Sequence, residues 1–299
     1  MSLIDLKNIR VDTISSFHKF HTTLDVLRLD LAHPIISGNK WFKLKEYLQE
    51  AKMQDKKTII TYGGAYSNHI IATAAAAKAN GFKSVGIIRG EKPEIISFTL
   101  NEAMSYGMDL LFISREEYKQ KKLPSLISDK YDSNDVYLIN EGGYGVKGAE
   151  GASFILQQAD STQYTHIVAA AGTGTTLAGL VKGSRENQQI TGISVLKNNV
   201  SLKKEIDDLL PSQLSERFTL IHDYHFGGYA KYSTELLKFM NTWFESTNIP
   251  SDFVYTGKLF YAVKDLIQKN HFPLHSKLLV IHSGGLQGNR SLPNGTLIF

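Results

Sequence analysis

The chain has 299 residues, enough for about two domains of ordinary size, and its 42% hydrophobic and 21% charged residues are those of a globular protein rather than a disordered one. With 33 Lys and Arg against 29 Asp and Glu, the net charge of +4 is too small to imply a nucleic-acid or anionic-membrane partner, and the short basic clusters Lys119 to Lys122 and Lys203-Lys204 read as solvated surface. The absence of cysteine excludes disulfides, thiolate nucleophiles and Cys-ligated zinc. No apolar run approaches the ~20 residues of a spanning helix, and the opening MSLIDLKNIR is charged where a signal peptide is apolar, so a soluble, cytoplasmic protein is expected.

In chain order, Ser37-Gly38-Asn39-Lys40 precedes a helical run from Trp41 to Ala51. A lysine held at such a turn can be desolvated and its pKa lowered, which imine formation needs, although most lysines are merely exposed. Thr58 to Tyr62 reads as a buried strand entering the turn Gly63-Gly64-Ala65-Tyr66. Ser67 or Asn68 is a natural N-cap for the Ala-rich helix Asn68 to Ala79, which Asn80-Gly81 stops ahead of a strand over Val85 to Ile88. The free N–H groups of that turn suit either plain capping or a substrate carboxylate, and the residues alone leave both open. The Gly-rich stretch Glu141 to Gly148 reads as a domain junction. Beyond it, the strand His166 to Ala170 turns through Gly172-Thr173-Gly174-Thr175-Thr176 into a helix ending near Lys182, then returns as Ile190 to Leu196. A last strand, Lys277 to His282, breaks at Ser283-Gly284-Gly285. Two βαβ units on either side of a junction predict an α/β fold of two domains with a ligand cleft between them.

The Gly172 to Thr176 turn follows a buried strand and opens a helix. Its glycines let the backbone approach an anion, and the free N–H groups of a helix N-terminus favour phosphate. A Rossmann dinucleotide site is the natural competitor, but Leu177 stands where its third glycine falls, and Val195-Leu196-Lys197 offers no acid for a ribose. A bare tight turn is the bland alternative. The histidine pairs His18/His21, His222/His225 and His271/His275 lack an H-E-x-x-H pattern or nearby carboxylates, so no metal is expected, and no G-x-S-x-G elbow supports a serine hydrolase.

Taken together, the segments resemble the fold-type II (tryptophan synthase β-like) enzymes that use pyridoxal 5′-phosphate (PLP), and within them the 1-aminocyclopropane-1-carboxylate (ACC) deaminase and D-cysteine desulfhydrase family. Gly38-Asn39-Lys40 with Lys43-Leu44 resembles the family's Schiff-base segment, and Gly63-Gly64 with Ser67-Asn68-His69 its substrate-carboxylate turn. Glu141-Gly142-Gly143 with Gly148-Ala149 resembles the exit from the small domain, and Gly172 to Thr176 with Leu177-Ala178-Gly179-Leu180 the phosphate loop. Val254-Tyr255-Thr256-Gly257-Lys258 and Ile281-His282-Ser283-Gly284-Gly285 resemble the two C-terminal signatures.

The resemblance implies open, mostly parallel sheets, with a small domain at 45–150 inserted in a large PLP-binding domain made of 1–44 and 151–299. It implies that Lys40 holds PLP and later moves the proton. Gly172, Thr173, Gly174, Thr175 and Thr176 would bind the phosphate, Asn68 the ring hydroxyl, and Ser283 the pyridine nitrogen. Ser67, Asn68 and His69 would take the substrate carboxylate, and Tyr255 and Tyr229 would line the pocket as catalytic phenols. A homodimer and a small amino-acid substrate are further expectations. Thr256 follows Tyr255 where the ACC deaminases carry a glutamate, and Ser283 supplies a hydroxyl as in the desulfhydrases. Both features rank β-elimination from D-cysteine, giving pyruvate, sulfide and ammonia, above ACC deamination. Other dehydratases or racemases of the fold, or a non-catalytic phosphate- or nucleotide-binding protein, are the remaining alternatives. The sequence departs from the family at Trp41-Phe42, Tyr66 and Leu286-Gln287, which are expected near the pocket.

Overall fold

The computed structural model describes residues 6–299, without the side chains of 18–20, 126 and 128; half of the N-terminal stretch considered for targeting, and the side chain of His18, thus lie outside the described residues. Strands β1 (Val11–Thr13) and β2 (Thr23–Arg28) lead to helix α1 (Asn39–Met53). Next come β3 (Thr58–Gly63), α2 (Asn68–Ala79), β4 (Lys83–Arg89), α3 (Phe98–Ser105), β5 (Met108–Ile113), α4 (Arg115–Gln120), α5 (Ser125–Lys130) and β6 (Val136–Ile139). The remainder is α6 (Val146–Ser153), β7 (His166–Ala171), α7 (Thr175–Gly183), β8 (Gln189–Ser194), α8 (Leu202–Asp207), β9 (Phe218–Ile221), α9 (Thr234–Thr247), α10 (Thr256–Gln268) and β10 (Lys277–His282). One sheet has six strands in the order β1-β2-β10-β7-β8-β9, and the other four in the order β5-β4-β3-β6. All neighbours are parallel except β1 and β2. The central strands β3 and β7 are buried at every position, the signature of sheets covered on both faces. No helix among the described residues is long and apolar enough to cross a membrane.

Small residues on α6 bring three helices together. A Cβ on Gly151 would lie 1.9 Å from the Phe42 carbonyl oxygen of α1, and one on Gly179 of α7 would lie 2.3 Å from the Ala152 Cβ. Helix α6 therefore lets α1 and α7 approach almost backbone to backbone, which fixes the start of α1 against the start of α7. At the first of these starts Gly38 has φ +64°, and a Cβ there would fall 1.8 Å from the Ser283 carbonyl oxygen, so only glycine fits.

Several predicted boundaries shift by one to three residues, two of them for a visible reason. Helix α1 begins at Asn39 rather than Trp41, with Asn39 N–H donating to the Ser283 carbonyl at 3.2 Å. Strand β8 stops at Ser194, because past it the ladder is reduced to the single Val195 N–H donated to the Ala171 carbonyl at 3.2 Å.

Candidate active site

The carboxyl ends of both sheets open on one cavity of about 350 Å³, within the usual range for small-molecule sites. Strand order decides what surrounds it. The turn after β3 lies between Arg89 at the end of β4 and Glu141 just past β6. The turn after β7 lies between Ser283 past β10 and Leu196 past β8. Of the residues singled out in the sequence, Lys40, Ser67, Asn68, His69, Gly172, Thr173, Gly174, Thr176, Tyr229, Tyr255 and Ser283 all line the cavity. Thr175 does not: it is fully buried, and its hydroxyl faces that of Thr173 at 3.1 Å. Trp41, Tyr66 and Gln287, expected near the pocket, do not line it either. Trp41 packs on the large hydrophobic core, Tyr66 is 55% exposed, and the Gln287 amide donates to the carbonyls of Pro34 and Ile35.

Two lysines one helical turn apart on α1 enter the cavity. Lys40 Nζ donates to Asn39 Oδ1 at 2.7 Å, and Asn39 Nδ2 donates to Thr176 Oγ1 at 2.8 Å, tying the lysine turn to the head of α7. Burial pushes the Lys40 ammonium down to about 8, against a smaller opposing pull from the Asp252 carboxylate. Lys43 Nζ donates to the Gly142 carbonyl at 2.6 Å and is held well below the ordinary lysine range by burial, then by the charge on Lys40. Two desolvated amines one turn apart offer N–H donors to a ligand in the cavity.

Helix α2 begins with Ser67 as N-cap, its hydroxyl accepting from Ile70 N–H at 3.4 Å. Capping and a place on the cavity wall thus coexist. Asn68 Nδ2 donates to the Gly285 carbonyl at 3.3 Å, while its buried Oδ1 has no partner. The Thr61 hydroxyl donates to the Ile139 carbonyl and so accepts from His69 Nε2, 2.8 Å away. Burial, with Lys43 and Lys40 nearby, lowers the His69 pKa well below its ordinary value, leaving a neutral ring whose buried Nδ1 lone pair has no donor.

Helix α7 carries no side-chain cap at Gly174, so its first N–H groups are open beside Gly172, Thr173 and Gly174 on the cavity wall. A Cβ on Gly172 would press within 3.2 Å of the Tyr255 ring, so the ring lies directly on this loop. An uncapped N-terminus, two desolvated amines and an unpartnered buried Asn68 oxygen suit a small aromatic aldehyde phosphate. PLP fits this donor set.

Tyr255 and Tyr229 meet edge to face at 6.4 Å. Desolvation, then Tyr229, pushes the Tyr255 phenol well above its ordinary value, and desolvation raises that of Tyr229 although 44% of that residue is exposed. The residues that hold the pair escaped the sequence reading. Buried Asp252 accepts from the N–H groups of Val254, Tyr255 and Thr256 and from the Thr256 hydroxyl, at 2.7–2.9 Å, which locks the turn presenting Tyr255. Buried Lys258 donates to the carbonyls of His225 and Gly228 at 2.8 and 2.7 Å, directly before Tyr229. Asp252, four residues ahead of α10, drew no notice, and Lys258 was read only as the end of the Val254 to Lys258 signature, without a role of its own. The histidines do other work: His21 packs edge to face on His275, and His225 Nδ1 accepts from Gly227 N–H.

The fold and the cavity define a two-sheet α/β enzyme that opposes a desolvated lysine to an anion-binding helix terminus. The chain belongs to the family described as pyridoxal-phosphate dependent enzyme, which it matches over residues 16–284, and its cofactor is PLP. It is 31% identical to a Pyrococcus horikoshii protein provisionally named 1-aminocyclopropane-1-carboxylate deaminase, over 88% of this chain and 84% of that one. It is also 31% identical to the mitochondrial bifunctional D-cysteine desulfhydrase/1-aminocyclopropane-1-carboxylate deaminase of Arabidopsis thaliana, over 89% and 73%. The crystal structure of an ACC deaminase homologue superposes with a TM-score of 0.81 at 28% identity, covering 94% of this chain and 90% of the other.

Proposed function

We propose that the protein removes the β-substituent of a small D-amino acid, D-cysteine first, with Lys40 as the group that holds PLP and moves the α-proton. The reading is carried by Thr256. Where the ACC deaminases carry a glutamate, this chain has a fully buried hydroxyl that does not line the cavity and is closed on Asp252, donating to Oδ1 and accepting from the Asp252 N–H, both at 2.7 Å. Ring opening of ACC, which has no α-hydrogen, gains nothing from it. Removal of an α-proton by a lysine amine already lowered to about 8 needs only that amine.

Bound PLP supplies a sink for the charge left on the α-carbon. Gly172, Thr173, Gly174 and the N–H groups of Thr175 and Thr176 would hold its phosphate with Lys43, Asn68 would meet its ring hydroxyl, and Ser283 its nitrogen. Among the protein's own groups, the turn Ser67-Asn68-His69 binds the substrate carboxylate through N–H groups at the start of α2. Lys40 takes the α-proton. Tyr255 and Tyr229 keep their phenolic protons across the working pH range and can give one to the departing sulfur. D-cysteine and water then yield pyruvate, hydrogen sulfide and ammonia. The membership of β3 to β6 in one sheet and of β1, β2 and β7 to β10 in the other supports a small domain at 45–150 inserted in a large one of 1–44 and 151–299. A homodimer, for which ultracentrifugation of the 33.4 kDa chain should give about 67 kDa, and a cytoplasmic location complete the reading on the strength of the family likeness.

Borohydride treatment of the holoenzyme should fix the cofactor to Lys40, and D-cysteine should give pyruvate and sulfide in equal amounts. A label on another lysine removes Lys40 from its role. Turnover of ACC to 2-oxobutyrate with none of D-cysteine would select the deaminase reading instead.

A further inference from the structure

We propose that Arg89 makes this cavity a receptor for amino acids whose side chain carries a second anionic group, a carboxylate, sulfate or sulfonate; as a statement about substrates it rests on the elimination reading above. The other charged side chains of the wall are engaged within the protein: Lys40 by Asn39 Oδ1, Lys43 by the Gly142 carbonyl, and Glu141 by Lys121. The Arg89 guanidinium has no hydrogen bond and no ion pair among the described residues, and it lies over the Tyr118 ring at 5.7 Å.

Its position follows from the sheet. The parallel register sets Gly63 opposite Ile88, so Arg89 falls beside Gly64, and its Nη2 lies 3.5 Å from where a Gly64 Cβ would be. The guanidinium therefore lies over the turn that leads into α2, on an exposed residue at the cavity rim. The anions common to every substrate of this chemistry already have seats. The uncapped start of α7 suits the cofactor phosphate, and the start of α2 suits the α-carboxylate. Arg89 is left over. A guanidinium does not shed its proton, and once a ligand excludes water from its side of the rim it needs a counter-charge. A planar or tetrahedral anion on the substrate side chain supplies one with two parallel N–H bonds.

The probes are aspartate and alanine, each in both configurations, titrated into the holoenzyme by calorimetry and by the shift of the cofactor's visible band. One configuration of aspartate should bind at least about tenfold tighter than alanine of the same hand, the worth of one charge-assisted contact. In Arg89→Gln the aspartate-to-alanine ratio should fall close to one. A wild-type ratio near one overturns the proposal. So does an equal loss of both ligands in the variant, which would give the guanidinium to the α-carboxylate. Elimination is read separately, as kcat/KM for serine O-sulfate against β-chloroalanine. If neither is turned over while the aspartate preference holds, the elimination reading fails and the anion site stands. If both are turned over without preference, the reverse is true.

Discussion

The Lys40 amine is where burial becomes chemistry. Only the neutral amine can attack an aldehyde, and its ammonium form is pushed down to about 8 by desolvation against the weaker pull of Asp252. At pH 7 such a lysine is neutral about one time in ten, against roughly one in 3,000 for an ordinary one. Loading of PLP onto enzyme stripped with hydroxylamine should therefore accelerate with pH and level off just above 8; a rate still climbing at pH 10 would remove the lowered pKa. Tyr255 is the opposite case. Desolvation and Tyr229 push its phenol well above 10, so it stays protonated and can act as a donor but not as a base. Tyr255→Phe should lower kcat by about 10²–10⁴ with the cofactor band retained and no pH limb displaced. An unchanged kcat would make Tyr255 a packing residue.

The contact of α1, α6 and α7 converts helix packing into site geometry, since Lys40 stands on the first and the anion loop opens the last. Gly179→Ala places a methyl 2.3 Å from the Ala152 Cβ and 2.7 Å from its carbonyl carbon, so the helices must part. A cost of about 1–3 kcal/mol is expected in urea unfolding, together with weaker PLP affinity, because the separation displaces both halves of the Asn39–Thr176 link. Loss of stability without loss of affinity would show that the link survives. The segment before α9 depends on Lys258 in the same way. Phe226, Gly227, Gly228 and Ala230 all have positive φ, from 49° to 111°, and the ammonium donates to two of the segment's carbonyls. In Lys258→Met those carbonyls keep only the N–H groups of Gly228 and Lys231, the loss of the two ammonium bonds should cost about 1–3 kcal/mol in all, and kcat should fall with Tyr229 released while the cofactor band is kept. What sequence reading could reach follows from these cases. Strands β3 and β7 and the turns after them were legible because burial on both faces favours short runs of apolar and β-branched residues without charge, followed by glycine. β2 was not, since polar Thr23 and Asp25 interrupt it, and Asp25 is there for the Tyr164 hydroxyl, 139 residues away. Site residues on the glycine turns were found; Arg89 and Asp252 were not, and Lys258 was quoted in a signature without its role, because strand pairing and loop closure bring these groups in.

Between the small and the large domain proposed above, the direct polar links among the described residues are few: Lys43 to Gly142, Asn68 to Gly285, the Tyr144 hydroxyl to the Glu205 carbonyl, and at the surface Arg290 to Glu102. The cavity lies between the same strand ends, and its unpartnered atoms, Asn68 Oδ1 and His69 Nδ1, belong to the four-stranded side, whereas the open helix terminus of α7 belongs to the six-stranded side. A ligand that satisfies both sides adds its binding free energy to the cohesion of the whole molecule. At a free concentration about 1,000 times Kd this is about 4 kcal/mol. Unfolding entropy near 2.1 cal/mol/K per residue over 299 residues converts that to roughly 6 °C in Tm. Scanning calorimetry of the holoenzyme should show one transition. After hydroxylamine treatment and dialysis the transition should fall by about that amount and broaden or divide, as each sheet with its helices loosens at its own temperature. Addition of PLP should restore the original trace, and addition of phosphate alone should restore only part of it, because phosphate reaches the α7 terminus without touching α2. Equal traces with and without cofactor would mean that the helix contacts at α6, rather than the ligand, hold the two sheets together.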